Sequence, residues 1–298
     1  MKRLLLYFSC AVLAFTAAQA QLLWRVTAPG NPRHSYIFGT YHLADSSFIG
    51  SVQGLAQALD SCDAMWGEVQ RDSLTSPEAL AKMTTAMQAP PDSTLNKLLS
   101  PDSYKIVADV FNGYFSDFAL TLDKVNSLKP AAISAQIEAL QALKYFPAQD
   151  PSAMLDLALQ TKAMLKGKTT FGLEGIDDQT QVLFGRDIVK QAQDLLEQCK
   201  NDGKYQQLNR QLLEAYRSGD LDKIGSLMFD PEAGGDDEQY RADLIDNRNI
   251  RWMTKLKPAI AAGSVLVCVG AGHLPGDKGI LNLLRQAGCT VTPVQNKN

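Results

Sequence analysis

Short apolar runs closed by glycine recur along this chain. Ser35-Tyr36-Ile37-Phe38-Gly39 is aromatic and β-branched and predicts a buried strand, with His42 just beyond its carboxyl end. Val52, Leu55, Ala56 and Leu59 follow at i, i+3, i+4 and i+7 and predict a short amphipathic helix. Ala64-Met65-Trp66 then predicts a second strand, ending at Gly67-Glu68. Near the other end the order repeats. Val265-Leu266-Val267-Cys268-Val269 runs into Gly270 and His273, Ile280, Leu283 and Leu284 mark a helix, and Cys289 to Val294 forms a further strand. Each copy reads apolar strand, Gly-x-x-His-Leu, helix, strand. The expected class is α/β (α+β), with two β-α-β halves forming one central sheet. Parallel strands joined by a helix share a crossover sense, so both histidines should leave equivalent sheet edges, where open α/β sheets bind ligands.

Between the halves, a large helical insertion is expected over about residues 76–240. Pro90-Pro91, Pro101, Pro130, Pro147 and Pro151 punctuate it, and Thr169 to Gly175 interrupts it with one strand-like run ending at Glu174-Gly175. Asp230 to Asp237 is the best loop candidate. A helix then runs from about Asp237 to Ala262, with a stripe of Ile245, Asn249, Trp252, Leu256 and Ile260. Asn249 breaks that apolar face, beside Arg248.

The amino terminus has a different character. Lys2 and Arg3 precede an apolar run from Leu4 to Ala18 and an Ala18-Gln19-Ala20 cleavage pattern, so residues 1–20 are expected to be a signal peptide and 21–298 a single exported domain, periplasmic or secreted. The run falls short of the ~20 residues a spanning helix needs, and no later segment is apolar for long enough, so no stable membrane span is expected after cleavage. Tyr7 and Phe8 before Cys10 do not make a lipobox. With 29 basic against 32 acidic residues and no Lys/Arg cluster, nucleic acid is not an expected partner. Cys62, Cys199, Cys268 and Cys289 reach an oxidising compartment, where either one bridge or buried thiols would serve; none stands in a C-x-x-C pair.

Two of the three histidines occupy the repeated motif, and His34 does not. Imidazole is a common ligand for divalent metals and a proton carrier near neutral pH. Glu68 and Glu174 each end an apolar strand at the same expected edge. A carboxylate so placed must be paired, metal-bound or shifted in pKa, and a salt bridge to a residue such as Arg248 is the plain alternative to a ligand role. Gly-x-Ser-x-Gly, His-Glu-x-x-His and phosphate-loop patterns are absent.

Taken together, Leu23-Trp24-Arg25-Val26, Tyr36 to His42, Glu68, Gly172-Leu173-Glu174, Arg248-Asn249 with Trp252, and Val269 to Gly276 with Gly279 resemble the TraB/GumN family. That resemblance implies kinship with Tiki-type metalloproteases and, more remotely, with haem-binding ChaN-like and erythromycin-esterase-like proteins. It implies a divalent metal (Mn, Co or Zn) held by His42, His273 and Glu68, with Glu174 as a further ligand or support. Glu68 would ligate the ion or take a proton, and Arg248 or Asn249 would steady an oxyanion. The function so implied is a metal-dependent hydrolase whose unknown substrate is of peptide type. A non-catalytic binding protein for a peptide or signal, or a haem protein, is the alternative.

Overall fold

The structure, a computed structural model, describes residues 22–41, 44, 46–145, 155–228 and 238–294. The leader, His42, Pro147, Pro151 and the loop at 230–237 lie outside the described residues.

Among the described residues six strands form one mixed sheet: β1 (Leu23–Thr27), β2 (Ser35–Thr40), β3 (Ala64–Val69), β4 (Thr169–Glu174), β5 (Val265–Gly270) and β6 (Thr290–Pro293), in the order β4-β3-β5-β2-β1-β6. The pairs β2–β5, β3–β5 and β3–β4 are parallel, while β1 runs antiparallel to β2 and β6. Every strand predicted from the apolar runs is present, and β1 joins them.

The two β-α-β units share this sheet by interleaving. β2, the helix Leu55–Ser61 and β3 form one unit, yet β5 of the second unit lies between β2 and β3. β5, the helix Ile280–Gln286 and β6 form the other, stepping over β2 and β1. Hydrophobicity accounts for the placement. Val265 to Val269 are all buried, as a central parallel strand covered on both faces requires. The less apolar β4 and β6 take the edges, β6 with Pro293 at its end.

The interleaving sets the two motifs side by side. In the β2–β5 register Gly39 pairs with Val269 and Thr40 with Gly270. Gly39 also lies against the following turn of the other motif: a Cβ there would sit 3.1 Å from the Cα of Ala271 and 3.2 Å from both its Cβ and Leu274 Cδ2. The close approach of the second motif thus favours glycine at the first.

Among its described residues the intervening segment is mainly helical, apart from β4, which returns to the sheet beside β3. Ser76 caps the helix Pro77–Met87 and Ser100 caps Pro101–Phe115, each accepting a backbone N–H three residues on, with proline in the first turn. Pro130 likewise opens Pro130–Tyr145. Leu95, Val107, Phe111, Ile133, Ile137 and Leu195 gather into a second apolar cluster, separate from the core around the sheet.

The late helix departs from the expected continuous run. It is built of Glu238–Arg241, a π-helical turn at Ala242–Asp246, and the helix Asn247–Ala262. Ile245, Asn249, Trp252, Leu256 and Ile260 are nonetheless all buried, as the stripe predicts. All four described cysteines are free thiols. Burial holds Cys268 well above its ordinary pKa and pushes Cys199 up to about 12, with Asp202 adding to the latter.

Candidate active site around Arg248

Glu68, Glu174, Arg248, Asn249 and His273 come together at the carboxyl edge of the sheet, and all are buried. β3 delivers Glu68 and β4 delivers Glu174. Their register pairs Glu174 with Val69, so the carboxylates leave adjacent strands one position apart.

Arg248 joins them. Its Nε donates to Glu174 Oε2 at 3.1 Å and its Nη2 to Glu174 Oε1 at 2.7 Å, a bidentate pair. Nη2 also donates to Glu68 Oε2 at 2.6 Å, and Nη1 donates to the Leu244 carbonyl at 2.9 Å and to His273 Nε2 at 3.1 Å. The guanidinium has five N–H donors, and this arrangement engages every one. Burial opposes the charge, but the carboxylates of Glu68 and Glu174 outweigh it and hold the Arg248 pKa above its ordinary value. The guanidinium carbon also lies 4.7 Å from the centre of the Trp252 ring, whose Nε1 donates to Glu174 Oε2 at 3.1 Å.

Asn249 fixes the histidine. Its Nδ2 donates to the carbonyls of His273 (3.1 Å) and Lys278 (2.9 Å), which turns Oδ1 toward His273 Nδ1 at 2.7 Å. An amide oxygen only accepts, so Nδ1 carries the proton and Nε2 is the acceptor nitrogen. Nε2 stands 3.8 Å from Glu68 Oε1, which itself accepts the Gly270 N–H at 2.8 Å. The π-turn contributes as well: it ends at Asp246, two positions before Arg248, and its Leu244 carbonyl takes one Arg248 donor. Such turns often occur at functional sites.

Two side chains here carry roles not readable from residue spacing. Tyr216, from the insertion helix Asp202–Ser218, donates its hydroxyl to the Gly39 carbonyl at 3.1 Å, and its ring meets Tyr41 with centroids 5.4 Å apart. No motif marks it. Burial, helped by Glu138, pushes the Tyr41 phenol up to about 12, so it stays protonated at neutral pH. Trp252 was visible as a stripe residue, but its bond to Glu174 was not. His34 stands apart, its Nδ1 2.9 Å from Thr27 Oγ1.

Residues 22–293 match the TraB/PrgY/gumN family. The chain belongs to that family. A curated relative of this TraB/PrgY/gumN chain is a protein named Metalloprotease TIKI2 from Danio rerio, 24% identical, matched over 92% of the chain and 61% of the relative. The chain thus spans under two thirds of that relative's length. No solved structure matches.

A divalent metal, suggested by that relative, can be tested against these residues. The 3.8 Å between His273 Nε2 and Glu68 Oε1 is a span that two ligands about 2.0–2.2 Å from one ion can bridge. The bond from Asn249 to Nδ1 is the outer support usual for a metal-binding imidazole. Among the described residues, however, no three His, Cys, Asp or Glu side chains form a metal-holding group. The pair is suited to an ion and needs a third ligand. Glu174 has both oxygens committed to Arg248 and Trp252. Arg248 and Asn249 would each have to give up a bond to steady an oxyanion.

Proposed function

We propose that this chain is a metal-dependent hydrolase acting on peptide substrates outside the cytoplasm. The observation that carries the reading is the oriented pair at the sheet edge: Nε2 of His273, set by Asn249, stands 3.8 Å from Glu68 Oε1. Membership of the TraB/PrgY/gumN family and the relative named as a metalloprotease support it. No helix among the described residues is long and apolar enough to cross a membrane, and the leader pattern at residues 1–20 supports export.

In this reading His273 and Glu68 hold the ion, with His42 of the first motif as third ligand. When bound, the ion supplies Lewis acidity and lowers the pKa of water. The other roles belong to the chain's own side chains. Asn249 keeps Nδ1 protonated, so that Nε2 keeps its lone pair. Glu174 grips Arg248, and Arg248 fixes Glu68 from the Oε2 side, leaving Oε1 toward His273. Arg248 and Asn249 act as positioning residues.

The test is hydrolysis of a fluorogenic peptide library with manganese, cobalt or zinc added, and again after chelation. Activity that needs the ion and disappears in His273→Ala and Glu68→Gln is expected. Purified protein with no affinity for any of the three ions would sink the proposal. The saturated hydrogen bonding of Arg248 and Asn249 favours a second reading, a binding protein that sequesters a peptide in the same cleft. It predicts saturable binding that survives chelation, without turnover.

A further inference from the structure

We infer that Arg248 sets the affinity of the Glu68–His273 pair for a divalent cation, because its guanidinium already holds the pair as an internal competitor. The inference rests on the metal-dependent reading above. The imidazole nitrogen Nε2 has one in-plane lone pair, and Arg248 Nη1 donates to it at 3.1 Å. That lone pair can accept an N–H or ligate an ion, but not both. An ion entering at His273 must therefore displace Nη1.

The guanidinium has somewhere to stay when that happens. Its Nε bond to Glu174 Oε2 and its Nη2 bond to Glu174 Oε1 use donors other than the Nη1 that faces His273, and the Trp252 ring lies against the guanidinium and the imidazole alike. Glu174 thus forms a dock that need not change, and the bond from Nη1 to His273 is the exchangeable one. Charge points the same way. Two carboxylates and one guanidinium leave the buried cluster formally at −1, and removing the guanidinium leaves −2. A positive charge next to the pair repels a divalent ion strongly in a buried site. The arginine therefore holds the ion-free site together while lowering its affinity for the ion.

The experiment titrates the purified full chain with Mn²⁺ alone by calorimetry, comparing wild type, Arg248→Met and Arg248→Lys. Methionine removes the charge and offers only a soft sulfur, a poor ligand for Mn²⁺. Arg248→Met should bind Mn²⁺ at least about tenfold more tightly than wild type, Arg248→Lys should stay near wild type, and adding Glu68→Gln to Arg248→Met should abolish the gain. Because Arg248→Met can be unstable without an ion, its thermal melt is measured with and without Mn²⁺. The ion should raise its Tm by more than it raises that of wild type, and a variant that stays unfolded in Mn²⁺ would overturn the inference. Wild type that binds Mn²⁺ while Arg248→Met binds no more tightly overturns the inference and leaves the hydrolase reading standing. Failure of both proteins to bind overturns the hydrolase reading too.

Discussion

Arg248 and Glu174, 74 positions apart in sequence, meet through two N–H···O bonds, Nε to Oε2 at 3.1 Å and Nη2 to Oε1 at 2.7 Å. The pair ties edge strand β4 to the helix Asn247–Ala262, and with Glu68 it draws β3 into the same junction. Neutralising Glu174 weakens its charge-assisted bonds from Arg248 but leaves the guanidinium paired with Glu68. Glu174→Gln should therefore cost about 1.5–3 kcal/mol of unfolding free energy. Urea denaturation measures it, with Arg33→Ala as a control: the Arg33–Asp63 pair is half-exposed, with side chains 50% and 54% accessible, and its loss should cost about 0–1 kcal/mol. Equal costs for the two variants would refute the assignment of Arg248–Glu174 as the structural anchor.

Asn249 should decide the tautomer of His273. Asn249→Leu leaves Nδ1 without its acceptor, and the ring should shift toward a mixture of tautomers, visible in the ¹⁵N spectrum of the imidazole. Metal affinity should fall roughly 10–100-fold, as for other lost outer supports of metal ligands. An unchanged imidazole spectrum would show that Asn249 does not orient the ring.

The two Gly-x-x-His segments touch at Gly39. A methyl group there meets Ala271 at 3.1–3.2 Å and Leu274 at 3.2 Å, so Gly39→Ala should cost about 1–3 kcal/mol through overpacking, and Gly39→Val more. The corresponding change at Gly113, where a Cβ meets nothing within 4 Å, should be stability-neutral or better, since it lies within the helix Pro101–Phe115. Thermal melts of the two alanine variants distinguish the positions.

Thiol chemistry gives a pH-dependent check. The nucleophile is the thiolate, and burial raises the pKa of Cys62, Cys199, Cys268 and Cys289, so less thiolate is present at any given pH than for an ordinary cysteine. At pH 8 an alkylating reagent should modify the partly exposed Cys289 first and Cys268 last, and all four rapidly once urea unfolds the chain. Rapid labelling of Cys268 in the folded protein would contradict its place in the centre of β5.

Much of this arrangement is written in local pattern. The run from Val265 to Val269, the helical spacing of Val52 to Leu59 and the stripe from Ile245 to Ile260 each state a pattern that follows from backbone geometry acting on a few neighbours. The run became β5, the first helix forms at Leu55–Ser61 without Val52, and the stripe is buried on a helix that a π-turn interrupts; the strand-end positions of Glu68 and Glu174 followed from their apolar runs. The π-turn at Ala242–Asp246 left no such mark, because one extra residue in a helical turn shifts the register without changing composition.

By itself, then, the sequence determined the mixed α/β class, the repeated strand-Gly-x-x-His-helix-strand unit, the buried face of the last long helix and the residues with chemical capacity. Tertiary structure alone decided their relations: that β5 lies between β2 and β3, that Gly39 lies against Ala271, and that one guanidinium engages Glu68, Glu174 and His273 together. The reason is physical. Periodicity is a property of adjacent residues, whereas strand order and the pairing of a buried charge depend on which distant groups can satisfy one another once water is excluded.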